Sequence, residues 1–191
     1  VIVTAATTNP AKLRELTELL GSRLRLVSPP EPYHAPAESG ASYRENARIK
    51  AYALFAELGT ASLADDSGLE VDALGGRPGL RSARYGDEAE DRNRRLLEEL
   101  RGRVGNERRA RFHTAIVLVL PDGRELIGEG QCEGEIGEAP RGSAGFGYDP
   151  LFLLPALGRT LAELTRAEKN RVSARADAAR ALARELDRLG V

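Results

Sequence analysis

Short apolar runs alternate along the chain with longer stretches of helical spacing, the pattern of an α/β protein. Residues 1–6 read as a buried-type strand. Leu13, Leu16, Leu19 and Leu20 then recur at helical spacing behind Asn9 and Pro10, an N-cap and a first-turn proline. Residues 24–27 predict a second strand, and the proline-rich, irregular stretch 28–39, with Glu38 near its end, predicts a surface loop at the rim of a cleft. Ser42-Tyr43-Arg44-Glu45 has capping-box spacing and opens a helix through Asn46, Ile49, Lys50, Ala53 and Leu54 to Gly59. Residues 58–64 give that helix's end, a break and a strand, and Leu69 to Val71 resumes an extended pattern. A charged helix over 88–101 carries Leu96, Leu97 and Leu100 on one side. Residues 110–120 and 124–136 form a hairpin around Pro121-Asp122-Gly123. Thr160 with Glu163, and Thr165 with Glu168, repeat the capping-box spacing. Leu182, Leu186 and Leu189 mark a last helix that starts at Ser173 and ends at Gly190. The expected fold is α/β, a central twisted mixed β-sheet flanked by helices, in a single domain over 1–191 with two lobes around a cleft.

Composition narrows the partners. With 28 basic and 29 acidic side chains the net charge is −1, which points away from a nucleic-acid polymer and from an anionic membrane. Cys132 is the single cysteine, so an internal disulfide framework and a cysteine-rich zinc site are excluded, and a reducing compartment fits. His34 and His113 are too few for a histidine metal cluster. The apolar run 115–120 is far short of a membrane span, and the chain opens on a strand with no basic leader, so a cytoplasmic protein is expected. Against 25 arginines stand only three lysines, Lys12, Lys50 and Lys169. A lysine is a compact point charge and an arginine a larger planar fork, so sites shaped to a phosphate oxygen resist the exchange, and the three lysines become candidates for one anion site.

Candidate chemistry concentrates in three stretches. Asp65-Asp66-Ser67-Gly68 leaves an apolar run, which places two carboxylates at the C-terminal edge of a strand, where open α/β sheets keep their ligands. At such an exit the alternation relaxes, so both can approach one hard cation, or one can bind it while the other activates water; the same residues also make an ordinary turn. The segment from Thr7 to Lys12 runs from strand to helix and offers free N–H groups, a dipole end and a lysine, either a phosphate cradle or simply a capped helix. In residues 142–150, Phe146 and Tyr148 stand between glycines beside Asp149, able to stack on a base or to plug the core. Glu45 suits a cap better than a metal. Lysines for phosphates, carboxylates for a divalent cation, and an aromatic loop with Asp149 and Arg175 for a base are the parts of a nucleoside triphosphate site. With no Ser-His-Asp or Cys-His set, activated water is favoured over a covalent nucleophile.

Six motifs carry a resemblance: Thr7-x-Asn9-x-x-Lys12, Glu45-Asn46-Ala47-x-x-Lys50-Ala51, Asp65-Asp66-Ser67-Gly68-Leu69, Ser82-Ala83-Arg84-Tyr85, Gly145-Phe146-Gly147-Tyr148-Asp149-Pro150 and Glu163-Leu164-Thr165-Arg166-x-Glu168-Lys169. In this order, over nearly the whole length, the chain resembles the inosine triphosphate pyrophosphatases, and all three lysines fall inside the motifs. The resemblance implies a two-lobed homodimer with a nucleotide-binding cleft. It would cleave ITP, dITP or XTP between the α and β phosphates, giving the monophosphate and pyrophosphate with Mg²⁺ as cofactor. Carried over, Asp66 is general base and metal ligand, Asp65 its supporting carboxylate and Glu38 a further acidic partner of the cation. Thr7, Thr8, Asn9, Lys12, Lys50 and Ser67 hold phosphates, while Phe146, Gly147, Tyr148, Asp149, Lys169 and Arg175 frame the base. Two departures stand out: Thr8 replaces the family's usual glycine, and Ala174 replaces the histidine of Ser-His-Arg. The missing histidine implies weaker base binding or relaxed discrimination, by about 1–3 kcal/mol for one lost hydrogen bond. A pyrophosphatase of relaxed selectivity and a silent nucleotide-binding module are the competing readings; retention of Asp65, Asp66 and every lysine speaks against the second.

Overall fold

The computed structural model describes residues 1–190. Seven strands form one mixed sheet in the order β2-β1-β3-β4-β5-β6-β7. These are β1 (Ile2–Ala5), β2 (Arg25–Val27), β3 (Ser62–Val71), β4 (Arg109–Val119), β5 (Glu125–Ile136), β6 (Phe152–Leu154) and β7 (Arg159–Thr160). The helices are α1 (Pro10–Leu20), α2 (Tyr43–Leu58), α3 (Ala89–Glu99), α4 (Arg166–Val172) and α5 (Ala174–Leu189). The mixed α/β sheet expected from the sequence is therefore present. No helix among the described residues is long and apolar enough to cross a membrane.

Contacts divide the chain into two compact units. The first comprises Val1–Asp66, Thr114–Gly130 and the segment from Ala174 onward. In it β1 pairs in parallel with β2 and with β3. Neighbouring strand residues enter different cores, as a two-residue period requires. Leu63, Ile116 and Leu118 pack with Leu16 and Leu20 of α1 and with Leu182 and Leu186 of α5, while Ala64, Ala115 and Val117 pack with Ala47, Ala51 and Leu54 of α2. Each fully buried leucine contributes about 1.5–3 kcal/mol. The second unit comprises Ser67–His113 and Gln131–Ser173. Its part of the sheet ends in the antiparallel pairs β5–β6 and β6–β7, and the rings of Phe112 and Phe152 meet with centroids 4.7 Å apart.

Local signals set the helix ends. Asn9 Oδ1 accepts from the backbone N–H of Ala11 (2.9 Å) and Lys12 (3.3 Å), and Pro10 follows as the first residue of α1. Ser42 accepts from Glu45 N–H at 3.1 Å to open α2, which stops at Gly59 in the left-handed region, φ 63°. Capping boxes form at both Thr160/Glu163 and Thr165/Glu168.

Helix α5 lies directly on strand β5 because two glycines leave room for its backbone. A Cβ on Gly130 would stand 2.2 Å from Ala178 N and 2.3 Å from Ala174 O, and one on Gly128 would stand 2.1 Å from Ala178 O. Backbone atoms cannot step aside as a flexible side chain can. Gly130→Val is expected to destabilise the protein by about 3 kcal/mol, the upper end of overpacking costs. Gly137→Ala, whose new methyl finds only ordinary contacts at 3.5 Å, should stay within about 0.5 kcal/mol. Urea unfolding of the two variants beside the parent checks the contrast.

Candidate functional site

The Asp65-Asp66 pair sits in the middle of β3, not at its C-terminal edge, and the strand runs unbroken through Ser67 and Gly68 to Val71. The alternation does not relax there. Asp65 follows the α1 and α5 face and Asp66 the α2 face, so the two carboxylates find different partners.

Asp65 is buried, 4 % exposed. Lys12 Nζ donates to it at 3.3 Å, and Arg175 gives it both Nε (3.2 Å) and Nη2 (3.1 Å). The remaining Arg175 nitrogen, Nη1, pairs with the buried carboxylate of Glu15. Burial alone would raise the pKa of Asp65, but Lys12, Arg175 and Lys50 overcome it and hold the carboxyl well below the ordinary carboxylate range. For Lys12 burial wins, with repulsion from Arg175 and Lys50 behind it, and its pKa is lowered despite the attraction of Asp65.

Asp66 behaves in the opposite way. One oxygen accepts from Lys50 Nζ at 3.2 Å and the other from Asn46 Nδ2 at 3.2 Å, both donors coming from α2 four residues apart. Lys50 also donates to Glu38 at 2.9 Å. Burial raises the pKa of Asp66, Lys50 pulls it down, and the like charge of Glu38 pushes it up again, for a net rise. The pKa of Lys50 is also raised: burial opposes its charge, and Asp66, Asp65 and Glu38 outweigh the burial. Burial is the larger part of the rise at Asp66; the excess of carboxylates over the cation on this face adds to it and is what favours the Lys50 ammonium.

The residues expected to cradle phosphates are present with one change. The N–H groups of Ala11 and Lys12 are not free, because Asn9 caps them. Thr7 Oγ1 accepts from Asn9 N–H at 3.1 Å, and Thr7, Thr8 and Asn9 line a cavity of about 630 Å³ with Ser28 and Tyr33. Glu45 turns back to accept from Ala41 N–H at 2.6 Å, as a cap would, and Glu38 is the acidic residue joined to Asp66 through Lys50. Among the described residues no three His, Cys, Asp or Glu side chains cluster as a metal cage. Asp66 and Glu38 offer a pair of hard oxygen donors, which suits Mg²⁺, an ion that takes one or two carboxylates and fills its shell from substrate phosphates and water.

A second cluster lies in the other unit. Asp149, 5 % exposed, accepts through Oδ2 from Lys169 Nζ (2.7 Å) and from Phe146 N–H (2.8 Å), and the ammonium stands 4.8 Å from the centre of the Phe146 ring. Gly145 (φ 76°) permits this fold of the loop, since a Cβ there would lie 2.1 Å from the same Asp149 oxygen. Gly147 O accepts from Asn93 Nδ2 at 3.1 Å. Of the two readings open for Tyr148, stacking on a base or plugging the core, its buried side chain takes the second: its hydroxyl donates to Ser82 O at 2.9 Å, and burial pushes its pKa up, keeping it protonated. Arg175, expected to frame the base, grips Asp65 and Glu15. Each of the three lysines thus ends on a buried aspartate: Lys12 on Asp65, Lys50 on Asp66 and Lys169 on Asp149. Sequence reasoning misses the roles of Glu15 and Asn46. For Glu15 the usable signal is a charge next to Leu16 on the apolar face of α1.

Comparison with known proteins adds the family. The Ham1 family profile matches residues 3–185. The chain belongs to the Ham1 family. A dITP/XTP pyrophosphatase of Thermus thermophilus is 51% identical over 185 residues, covering 94% of this chain and 89% of that protein. Another of the same name, from Geobacillus kaustophilus, is 46% identical over 182 residues, covering 92% and 89%. The Staphylococcus aureus Ham1 protein superposes with a TM-score of 0.87 at 34% identity over 99% of this chain and 100% of that one, and a Coxiella burnetii HAM1 protein with 0.88 at 37% over 98% and 99%. These Ham1 relatives bear out the resemblance carried by the six motifs.

The depressed pKa of Asp65 makes a stability prediction. Its ion pairs stabilise the fold above the ordinary Asp pKa of about 3.9, and that contribution is lost as pH falls towards the lower, folded-state value. Asp65→Asn should therefore cost about 3–5 kcal/mol at pH 7, the penalty for breaking a buried pair. The deficit should shrink below about pH 4, as urea titrations at pH 7 and pH 3 would show.

Proposed function

We propose that this chain hydrolyses dITP, XTP and ITP between the α and β phosphates, releasing the nucleoside monophosphate and pyrophosphate. The observation that carries the reading is Asp66: a buried carboxylate of raised pKa, fixed by Asn46 and Lys50 beside Glu38, on a chain whose near relatives are named dITP/XTP pyrophosphatases. A raised pKa makes Asp66 a stronger base than an ordinary carboxylate, suited to taking the proton of an attacking water. Lys50 and Lys12 are cations from two different helices that would stabilise the charge developing on the pyrophosphate leaving group. Asp66 and Glu38 would hold Mg²⁺, which when bound spreads the phosphate charge. Thr7, Thr8, Asn9 and Ser67 would meet phosphate oxygens. In the second unit Phe146 supplies a half-buried ring, and Asp149 with Lys169 supplies a polar edge, for the purine. Tyr148 serves by anchoring that loop, and Arg175 by fixing Asp65.

Relaxed selectivity is the second reading. The side chain at Ala174 is a buried methyl, 3 % exposed, which donates no hydrogen bond to a 6-oxo group.

Pyrophosphate release with Mg²⁺ from dITP, XTP, ITP, GTP and ATP at matched concentrations tests both. Release confined to the first three supports the selective enzyme, comparable release from all five the relaxed one, and release from none removes the catalytic reading. Asp66→Asn should lower kcat by at least about 100-fold, the scale of a lost general base, with nucleotide binding by calorimetry retained. Full activity in that variant would take Asp66 out of the mechanism.

A further inference from the structure

We infer that Asn46 is a positioning residue: one side-chain amide that sets the Asp66 carboxylate on one side and fastens the Glu38-bearing loop on the other. The inference rests on the reading of Asp66 and Glu38 given above. Asn46 is 1 % exposed, on the first turn of α2, four residues before Lys50. Its Nδ2 donates to Asp66 Oδ2 at 3.2 Å, and its Oδ1 accepts from Gly40 N–H at 2.9 Å. The partners dictate which way the amide faces. A carboxylate oxygen can only accept and a backbone N–H can only donate, so the opposite orientation would oppose like groups at both ends.

Few side chains can replace it. An aspartate in its place would keep the Gly40 bond but lose the donor and set a second negative charge against Asp66. An apolar residue would leave a buried carboxylate oxygen and a backbone N–H without this partner. Glutamine reaches too far by one methylene. The loop side of the clamp is equally tight. A Cβ on Gly40 would lie 2.6 Å from Glu45 Cβ, 2.8 Å from Asn46 Oδ1 and 2.9 Å from Asn46 N, so any side chain at position 40 lifts the loop off the start of α2. Glu38, two residues away, reaches Lys50 from that loop, and Lys50 in turn reaches Asp66. Gly40, Asn46, Asp66, Lys50 and Glu38 therefore close a ring of contacts. Within it Asn46 alone ties the loop backbone directly to the carboxylate. The two oxygens of Asp66 are held by different donors, Lys50 on one and Asn46 on the other. Loss of the amide leaves the carboxylate held at one oxygen only, by Lys50, and a misoriented base affects turnover more than affinity for the nucleotide.

Asn46→Asp and Gly40→Ala break the clamp from opposite sides. Steady-state pyrophosphate release from dITP with Mg²⁺ should show kcat reduced about 10- to 100-fold in Asn46→Asp, the scale of a charge-assisted hydrogen bond, with KM within about threefold of the parent. Gly40→Ala should show the same division at smaller size. Amide hydrogen exchange at position 40, read without nucleotide, should stay slow in Asn46→Asp, which still accepts from that N–H, and become fast in Gly40→Ala. Parental kcat in Asn46→Asp, or a loss carried by KM in both variants, overturns the inference. A parent chain inactive on dITP overturns the functional reading instead, and the inference with it, a result distinguishable because it precedes any substitution.

Discussion

Two adjacent carboxylates inside a continuous strand must face opposite sides of the sheet, and a buried charge needs its own counter-charge wherever it emerges. Everything distinctive about the first unit follows from meeting that requirement twice. On one side Lys12 and Arg175 converge on Asp65; on the other Lys50 and Asn46 converge on Asp66. The side chains are chemically identical and one residue apart, yet their pKa values move in opposite directions. Asp65 has cations in excess and becomes a fixed anion. Asp66 is raised first by its burial, and it shares its one cation with Glu38, whose like charge adds to the rise; a carboxylate so placed is more basic than an ordinary one. A strand that bent at this point would have pooled the charges and erased the difference.

The division also ties the charge pattern to packing. Arg175 is the second residue of α5, and its reach to Asp65 and Glu15 depends on how that helix is set against β5. Gly128 and Gly130 allow the helix backbone to lie against the strand, closer than any side chain would permit. The small residues Ala174 and Ala178 continue the contact. Displacement of α5 would pull a guanidinium from two buried carboxylates at once, so packing and ion pairing fail together here rather than additively.

Most element ends are legible because each is written in a few neighbouring residues: Asn9-Pro10 opens α1, Ser42 opens α2, Gly59 closes it, and Thr165 with Glu168 opens α4. The centre of β3 is not. Asp-Asp-Ser-Gly has the local preference of a turn, and what makes it a strand is its place in the sheet between β1 and β4, with the counter-charges for its carboxylates coming from α1, α2 and α5. β6 and β7, with three and two residues, are too short for a period to show. Asn46 is visible in the sequence only as a polar residue on a helix, because its role depends on Gly40 and Asp66 meeting it from two directions. The aromatic loop is half legible: plugging the core is one of two readings open for Tyr148, but no neighbouring residue tells that its hydroxyl reaches Ser82.

The scarcity of lysine has a structural meaning that differs from the simple one. Each of the three lysines is the partner of a different buried aspartate. What they share is the need for a compact charge. At position 50 one ammonium reaches Glu38 at 2.9 Å and Asp66 at 3.2 Å, with three rotatable N–H groups to distribute. A guanidinium is a rigid fork that favours one carboxylate in its plane. That fork is what Asp65 receives from Arg175, where the demand is to hold still. Arg175 also serves two carboxylates, Asp65 and Glu15, but through a planar fork in one fixed arrangement, whereas the Lys50 ammonium can redistribute its three N–H groups between Glu38 and Asp66.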